Sequence, residues 1–184
     1  DIGMIHPIGT ICHELGHILG IPDLYDTSDY DAHGIGEWGL MGSGNWMSQT
    51  SPAYMNAWSR YSLDYIHPVI LENVIDFSLS LLHAEGADSA AAYILPMNSN
   101  IPQEYLILEN RQQILSDKDL IDSGLLVWHI DETITDMYPA LRSINVNSEY
   151  YGVNLLQADG DGLLYTSTDC CVNDADECFC ADDG

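Results

Sequence analysis

Two histidines four residues apart, His13 and His17, lie inside a stretch whose two ends both read as helix ends. Pro7 suits the first helical position, where the N–H it lacks would go unpaired anyway. Gly20 suits the left-handed residue that closes a helix, and Pro22 stops the helix from resuming. Between them Ile8, Ile11, Cys12, Leu15, Ile18 and Leu19 recur at helical spacing, so residues 7–19 are expected to form a helix with one apolar face. On that helix the two imidazoles project one turn apart from the same side, beside the apolar stripe. The rest of the fold has to leave that side reachable.

The full run is His13-Glu14-Leu15-Gly16-His17-Ile18-Leu19-Gly20-Ile21-Pro22-Asp23. Two stacked imidazoles can each direct a nitrogen at one Zn2+. Glu14 stands one step round the helix, too close for a comfortable third ligand and well placed to take a proton from metal-activated water. Gly20 lets the chain turn sharply and bring Asp23 back as the third ligand, which leaves a fourth position open. Asp26 and Glu37 are the rival third ligands, Glu37 at a spacing nearer to zinc peptidases that use a distant Glu. Trp38-Gly39-Leu40-Met41-Gly42-Ser43-Gly44 then sets Met41 in a Gly-rich turn, like the Met turn that underlies the ligands of metzincins. The bland alternatives are ordinary turn chemistry for Asp23 and core packing for Met41. His6, His33, His67, His83 and His129 carry no such pattern and read as structural or surface residues.

The run from His13 to Asp26, followed by Trp38 to Trp46, resembles the M6 family of metallopeptidases, which includes secreted bacterial proteases of the immune inhibitor A type. Pro52-Ala-Tyr-Met-Asn-Ala-Trp58, Glu104 to Gln112, Gly124 to Asp131 and Gly152 to Gly160 resemble later segments of that family, so the likeness spans about residues 5–162. It implies a secreted, zinc-dependent endopeptidase, often stabilised by calcium. By position it implies His13, His17 and Asp23 as zinc ligands, Glu14 as general base and Met41 as the Met-turn residue. Ser43 stands two residues after Met41, where some metzincins have a tyrosine. The upstream half of such a catalytic domain is not expected within the chain, which reads as a fragment of a longer precursor starting at the active-site helix.

The chain's charge excludes other classes. Its 184 residues carry 29 acidic and 4 basic side chains, a formal net charge of -25. Nucleic acid is excluded as a partner, because binding phosphates needs clustered Lys and Arg. Anionic lipid is disfavoured for the same reason, and no apolar run is long enough to span a membrane. A hydrophobic fraction of 46% is ordinary for a folded protein. The excess charge suits binding of hard cations, and Asp159-Gly160-Asp161-Gly162 is a candidate Ca2+ loop set against a solvated acidic turn. Cys12 reads as a packed free thiol, whereas Cys170, Cys171, Cys178 and Cys180 favour disulfides over a zinc site.

The chain is expected to be α+β: a metzincin-like active-site helix, Met turn and second helix over 1–66, a mainly antiparallel β region over 67–165, and an acidic Cys-rich tail over 166–184. Ser51 and Pro52 are expected to open the second helix, running to about Leu63. Strands are expected near 69–75, 76–83, 91–97, 104–110 and 124–130, with turns at 84–88 and 98–100. Trp128-His129-Ile130-Asp131 reads as the end of a packed strand, since no nucleophile accompanies its His-Asp pair. The function expected is zinc-dependent hydrolysis of protein or peptide substrates, by a monomer, outside the cell. The alternative is a non-catalytic, calcium-dependent binding or adhesion module with a vestigial zinc site.

Overall fold

The computed structural model describes residues 7–27, 33–48, 50–72, 91–97, 103–138, 144–146 and 150–158. Helix α1 spans Ile8–Leu19, with Pro7 one position earlier than expected, as its N-cap, and Gly20 left-handed at φ 104 as its C-cap. Two short 3-10 turns, Gly36–Trp38 and Ser43–Trp46, follow in a segment that is otherwise loop. Helix α2 spans Ala57–Ser62, and helix α3 spans Glu132–Thr135. The strands are β1 Val69–Ile70, β2 Tyr93–Pro96, β3 Glu104–Arg111, β4 Gly124–Asp131 and β5 Val153–Leu155. They form one sheet in chain order, with β1 parallel to β2 and the remaining pairs antiparallel. The architecture is α+β with a mixed sheet.

Central strands β3 and β4 alternate as half-buried strands should. Ile107, Leu126, Trp128 and Ile130 are fully buried, and Trp128 pairs with Ile107 on one side and Leu155 on the other. Two more inward positions on β3 carry charges, Glu109 and Arg111, both 0% exposed. Arg111 donates to both Asp117 carboxylate oxygens at 2.6 Å, and Arg60 donates to Glu109 at 2.7 Å. Trp128 Nε1 also donates to Glu109 at 2.7 Å. The guanidinium of Arg111 reaches the carbonyls of Trp38 at 2.9 Å and Tyr54 at 3.3 Å. A buried ion network therefore joins the sheet to the segment around the first 3-10 turn.

Several expectations are corrected. The apolar row of α1 faces outward: Ile8, Ile11, Leu15 and Ile18 are 48%, 57%, 50% and 80% exposed. The helix instead buries Gly9, His13 and Gly16. Small residues let the backbones meet: a β-carbon on Gly9 would lie 1.9 Å from the Asn45 carbonyl oxygen. Periodicity shows which face is apolar, not which one this chain covers. The second helix starts at Ala57, with Asn56 capping Ser59 N at 3.2 Å, rather than at Ser51. Residues in the 51–56 segment are claimed by tertiary partners instead. Ser51 Oγ donates to the Ser116 carbonyl at 2.7 Å, and Tyr54 N donates to Asp117 at 2.8 Å. Strand β1 is shorter than expected, and α3 and β5 were not anticipated as elements. The segment 76–83, the turns at 84–88 and 98–100, Asp159, Asp161 and the Cys-rich tail lie outside the described residues.

Candidate metal centre

Gly20 ends α1 with its N–H on the carbonyls of Gly16 and His17, and Ile21 N donates to Gly16 O at 3.0 Å. This left-handed step, which favours glycine, turns the chain back along the helix. Leu24 N then donates to Met41 O at 2.9 Å, so the segment carrying Asp23 is pinned to the Gly-rich turn. The result brings His13, His17 and Asp23 together, with one ligand atom from each inside a 4.8 Å sphere of mutual distances. Among the described residues this group is where metal-ligating side chains converge. Glu37 and Asp26 are not in it. Asp26 is buried and lines a neighbouring cleft of about 340 Å³ with Tyr25, His33 and Ser43.

The donor set fits a cation on its own chemistry. His13 Nδ1 lies 2.9 Å from the Leu40 carbonyl, and His17 Nδ1 lies 2.9 Å from the Ile21 carbonyl. A carbonyl only accepts, so each Nδ1 carries the proton and each Nε2 faces inward. Those Nε2 atoms lie 3.1 Å and 3.3 Å from the same Asp23 oxygen, Oδ1. A nitrogen lone pair meets a carboxylate oxygen favourably only with a proton or a metal ion between them. Zinc bonds of about 2.0–2.1 Å at tetrahedral angles put neighbouring ligand atoms about 3.3 Å apart, close to both separations. The backbone carbonyls behind the rings are the outer partners that orient metal-binding histidines.

Without a metal, the balance of burial and charge favours a proton in the His13–Asp23 contact. Burial alone would lower the His13 pKa, but the hydrogen bonds to Asp23 and Leu40 and the charges of Asp23 and Glu14 raise it above 6.5. Burial alone would raise the Asp23 pKa, but His13, the charge of His17 and a hydrogen bond from Tyr25 hold it below 3.8. Burial raises the Glu37 pKa. The rings of His13 and His17 meet edge to face at 4.8 Å, and Tyr25 stacks on His13 at 6.3 Å.

Glu14 is exposed on the same turn as His13. Met41 is 1% exposed, and a β-carbon on Gly16 would lie 2.4 Å from its sulfur. Met41 thus packs under the turn between the two histidines. The Leu40 and Ile21 carbonyls had no signature in the sequence, because any residue supplies a carbonyl. Asn145, also unanticipated, is 0% exposed and bonds the Leu24 carbonyl at 3.2 Å and Val153 O and N at 2.7 and 3.1 Å. It ties the Asp23 segment to β5.

Comparison with known proteins agrees with the sequence resemblance. Residues 5–73 match the family described as immune inhibitor A peptidase M6, catalytic domain. Immune inhibitor A of Bacillus thuringiensis subsp. alesti is 35% identical over 65 residues, covering 34% of this chain and 9% of that protein. The pre-pro-metalloprotease PrtV of Vibrio cholerae serotype O1 (strain M66-2) is 38% identical over 60 residues, covering 30% of this chain and 6% of that protein. The chain therefore spans under a tenth of these relatives' length within the match. No solved structure matches it significantly. The family match over residues 5–73 takes in all three converging side chains, so the similarity to M6 metallopeptidase catalytic domains falls on the candidate metal centre itself.

Proposed function

We propose that the chain is part of a secreted, zinc-dependent endopeptidase. The observation that supports this most is the pair of inward-facing Nε2 atoms, each oriented by a carbonyl behind it, on one oxygen of Asp23. In this reading His13, His17 and Asp23 hold the zinc. When bound, zinc supplies Lewis-acid polarisation of the scissile carbonyl and makes water acidic enough to react near neutral pH. Glu14 accepts the proton of the attacking water and passes it to the leaving amine nitrogen. The exposure of Glu14 leaves its carboxylate able to reach a substrate, and its charge is already felt at His13. Met41 supports the turn between the histidines, as the Met turn does in metzincins. The alternative adhesion-module reading has no observation that favours it. Calcium at Asp159 and Asp161 remains a separate proposal, tested by whether added calcium raises the melting temperature.

The test is cleavage of casein by the zinc-loaded full-length protein. Glu14→Gln should reduce cleavage by about 10²-fold or more while zinc stays bound. Retained cleavage would remove Glu14 from this role. Chelator-insensitive cleavage would remove the metal from the reaction.

A further inference from the structure

A cavity of about 510 Å³ opens at the far end of α1. Its walls include Trp58, Tyr61, Tyr105 and Tyr138. Three carboxylate residues, Asp64, Glu132 and Asp136, line it as well, and among the described residues no Lys, Arg or His lines it. Glu132 is half-buried, while Asp64 and Asp136 are exposed at the rim. Gly20 and Ile21 also line it, so the C-terminal end of the twelve-residue α1, the negative end of its dipole, opens into the same space.

Each of these features favours a positive charge. Aromatic faces attract cations through their quadrupoles. Carboxylates set in low-dielectric walls focus a negative potential inside a concave site. Tyr105 lies against these carboxylates: burial, and then the charge of Glu132, to which its hydroxyl also donates, hold its phenol far above its ordinary pKa, with Asp136 adding to the effect. Asp64 sits at the rim in a left-handed backbone conformation, φ 59, just past the end of α2. An ordinary apolar ligand would bring no counter-charge to Glu132 and Asp136, whereas Asp64 already lies 3.9 Å from His67 Nε2.

The cavity also adjoins the metal centre. The carbonyl that orients His17 belongs to Ile21, and Ile21 and Pro22, the two residues before Asp23, line the cavity. We propose that this cavity receives the cationic side chain, lysine or arginine, of a peptide bound at the neighbouring metal site. The peptide part of this assignment rests on the peptidase reading above; the cation part rests on the cavity alone.

The experiment measures binding rather than cleavage. Nα-acetyl-arginine amide is titrated into the zinc-loaded full chain, and the indole resonance of Trp58 is followed by NMR. The uncharged isostere Nα-acetyl-citrulline amide is the control. Saturable perturbation by the arginine probe, at least about tenfold weaker with citrulline, is expected. A Glu132→Gln, Asp136→Asn double variant should weaken the arginine probe by at least about tenfold at unchanged zinc content. Equal binding of the two probes, an unaffected double variant, or no saturable perturbation at Trp58 would each overturn the proposal. Arginine binding without any protein cleavage would keep the cation site and overturn its peptide assignment, a failure traced to the peptidase reading. Zinc-dependent cleavage without arginine binding would overturn the cavity assignment alone.

Discussion

Met41 lays its sulfur against the bare backbone of Gly16, one residue before His17. A β-carbon at 16 would stand 2.4 Å from that sulfur and 3.1 Å from the terminal methyl. Gly16→Ala gains about 1 kcal/mol in helix propensity but must displace the buried thioether end of Met41, an overpacking that costs about 1–3 kcal/mol. The expected net result is a lower Tm and weaker zinc binding. Met41→Ala opens space at the same contact, so the double variant should be less damaged than the sum of the singles. Additive losses in thermal melts would separate Gly16 from Met41.

The His13–Asp23 pair gives the metal-free protein a defined pH window. The His13 pKa is raised, so its contribution is fully present below 6.5 and is lost as pH climbs through the raised value. The Asp23 pKa is lowered, so its contribution is present above 3.8 and is lost as pH falls through the depressed value. Between 3.8 and 6.5 both act. The stability gap between wild type and Asp23→Asn, both chelated, should be widest in that window and shrink as pH rises through the raised His13 value. Urea midpoints measure it, and a gap independent of pH would contradict the pairing. Zinc affinity should fall as pH drops, because a proton competes for His13.

Arg111 is fully buried between Glu109 and Asp117. Arg111→Met should destabilise the fold by about 3–5 kcal/mol, because it leaves buried carboxylates short of a counter-charge. It also releases the Trp38 and Tyr54 carbonyls. Leu40 N donates to Tyr54 O at 3.4 Å, and Leu40 O holds His13, so the loss should reach the metal centre. Denaturant unfolding with and without zinc reads both effects.

Asn145→Ala removes three buried hydrogen bonds that join Leu24 to Val153. Each unsatisfied buried group costs about 1–3 kcal/mol. Asp23 adjoins Leu24, so zinc affinity should drop alongside Tm. Unchanged zinc affinity in a folded variant would show that Asp23 is positioned from the α1 side alone.

The helix of 8–19 and the strands of 104–111 and 124–131 were legible because their periodicity and end signals agree. The convergence of His13, His17 and Asp23 was legible because its spacing of four and its glycine turn are local. Three things were not. The covered side of α1 depends on what packs against it, and two glycines decide that contact. The late start of α2 depends on Ser116 and Asp117, about sixty positions away, which engage the Ser51 hydroxyl and the Tyr54 N–H. The inward placement of Glu109 and Arg111 breaks the apolar rule for a half-buried strand and makes sense only once Arg60 and Asp117 are beside them.

The reach of Arg111 into the Trp38 and Tyr54 carbonyls has a further consequence for how the molecule comes apart. Opening the sheet around β3 would strand that guanidinium, and opening the loop would strand the same group from the other side. The two regions are thereby bound into a single cooperative unit of unfolding. Zinc added at one end should slow amide hydrogen exchange at Ile107 and Leu126, in the middle of the sheet, as well as at the residues beside the ion.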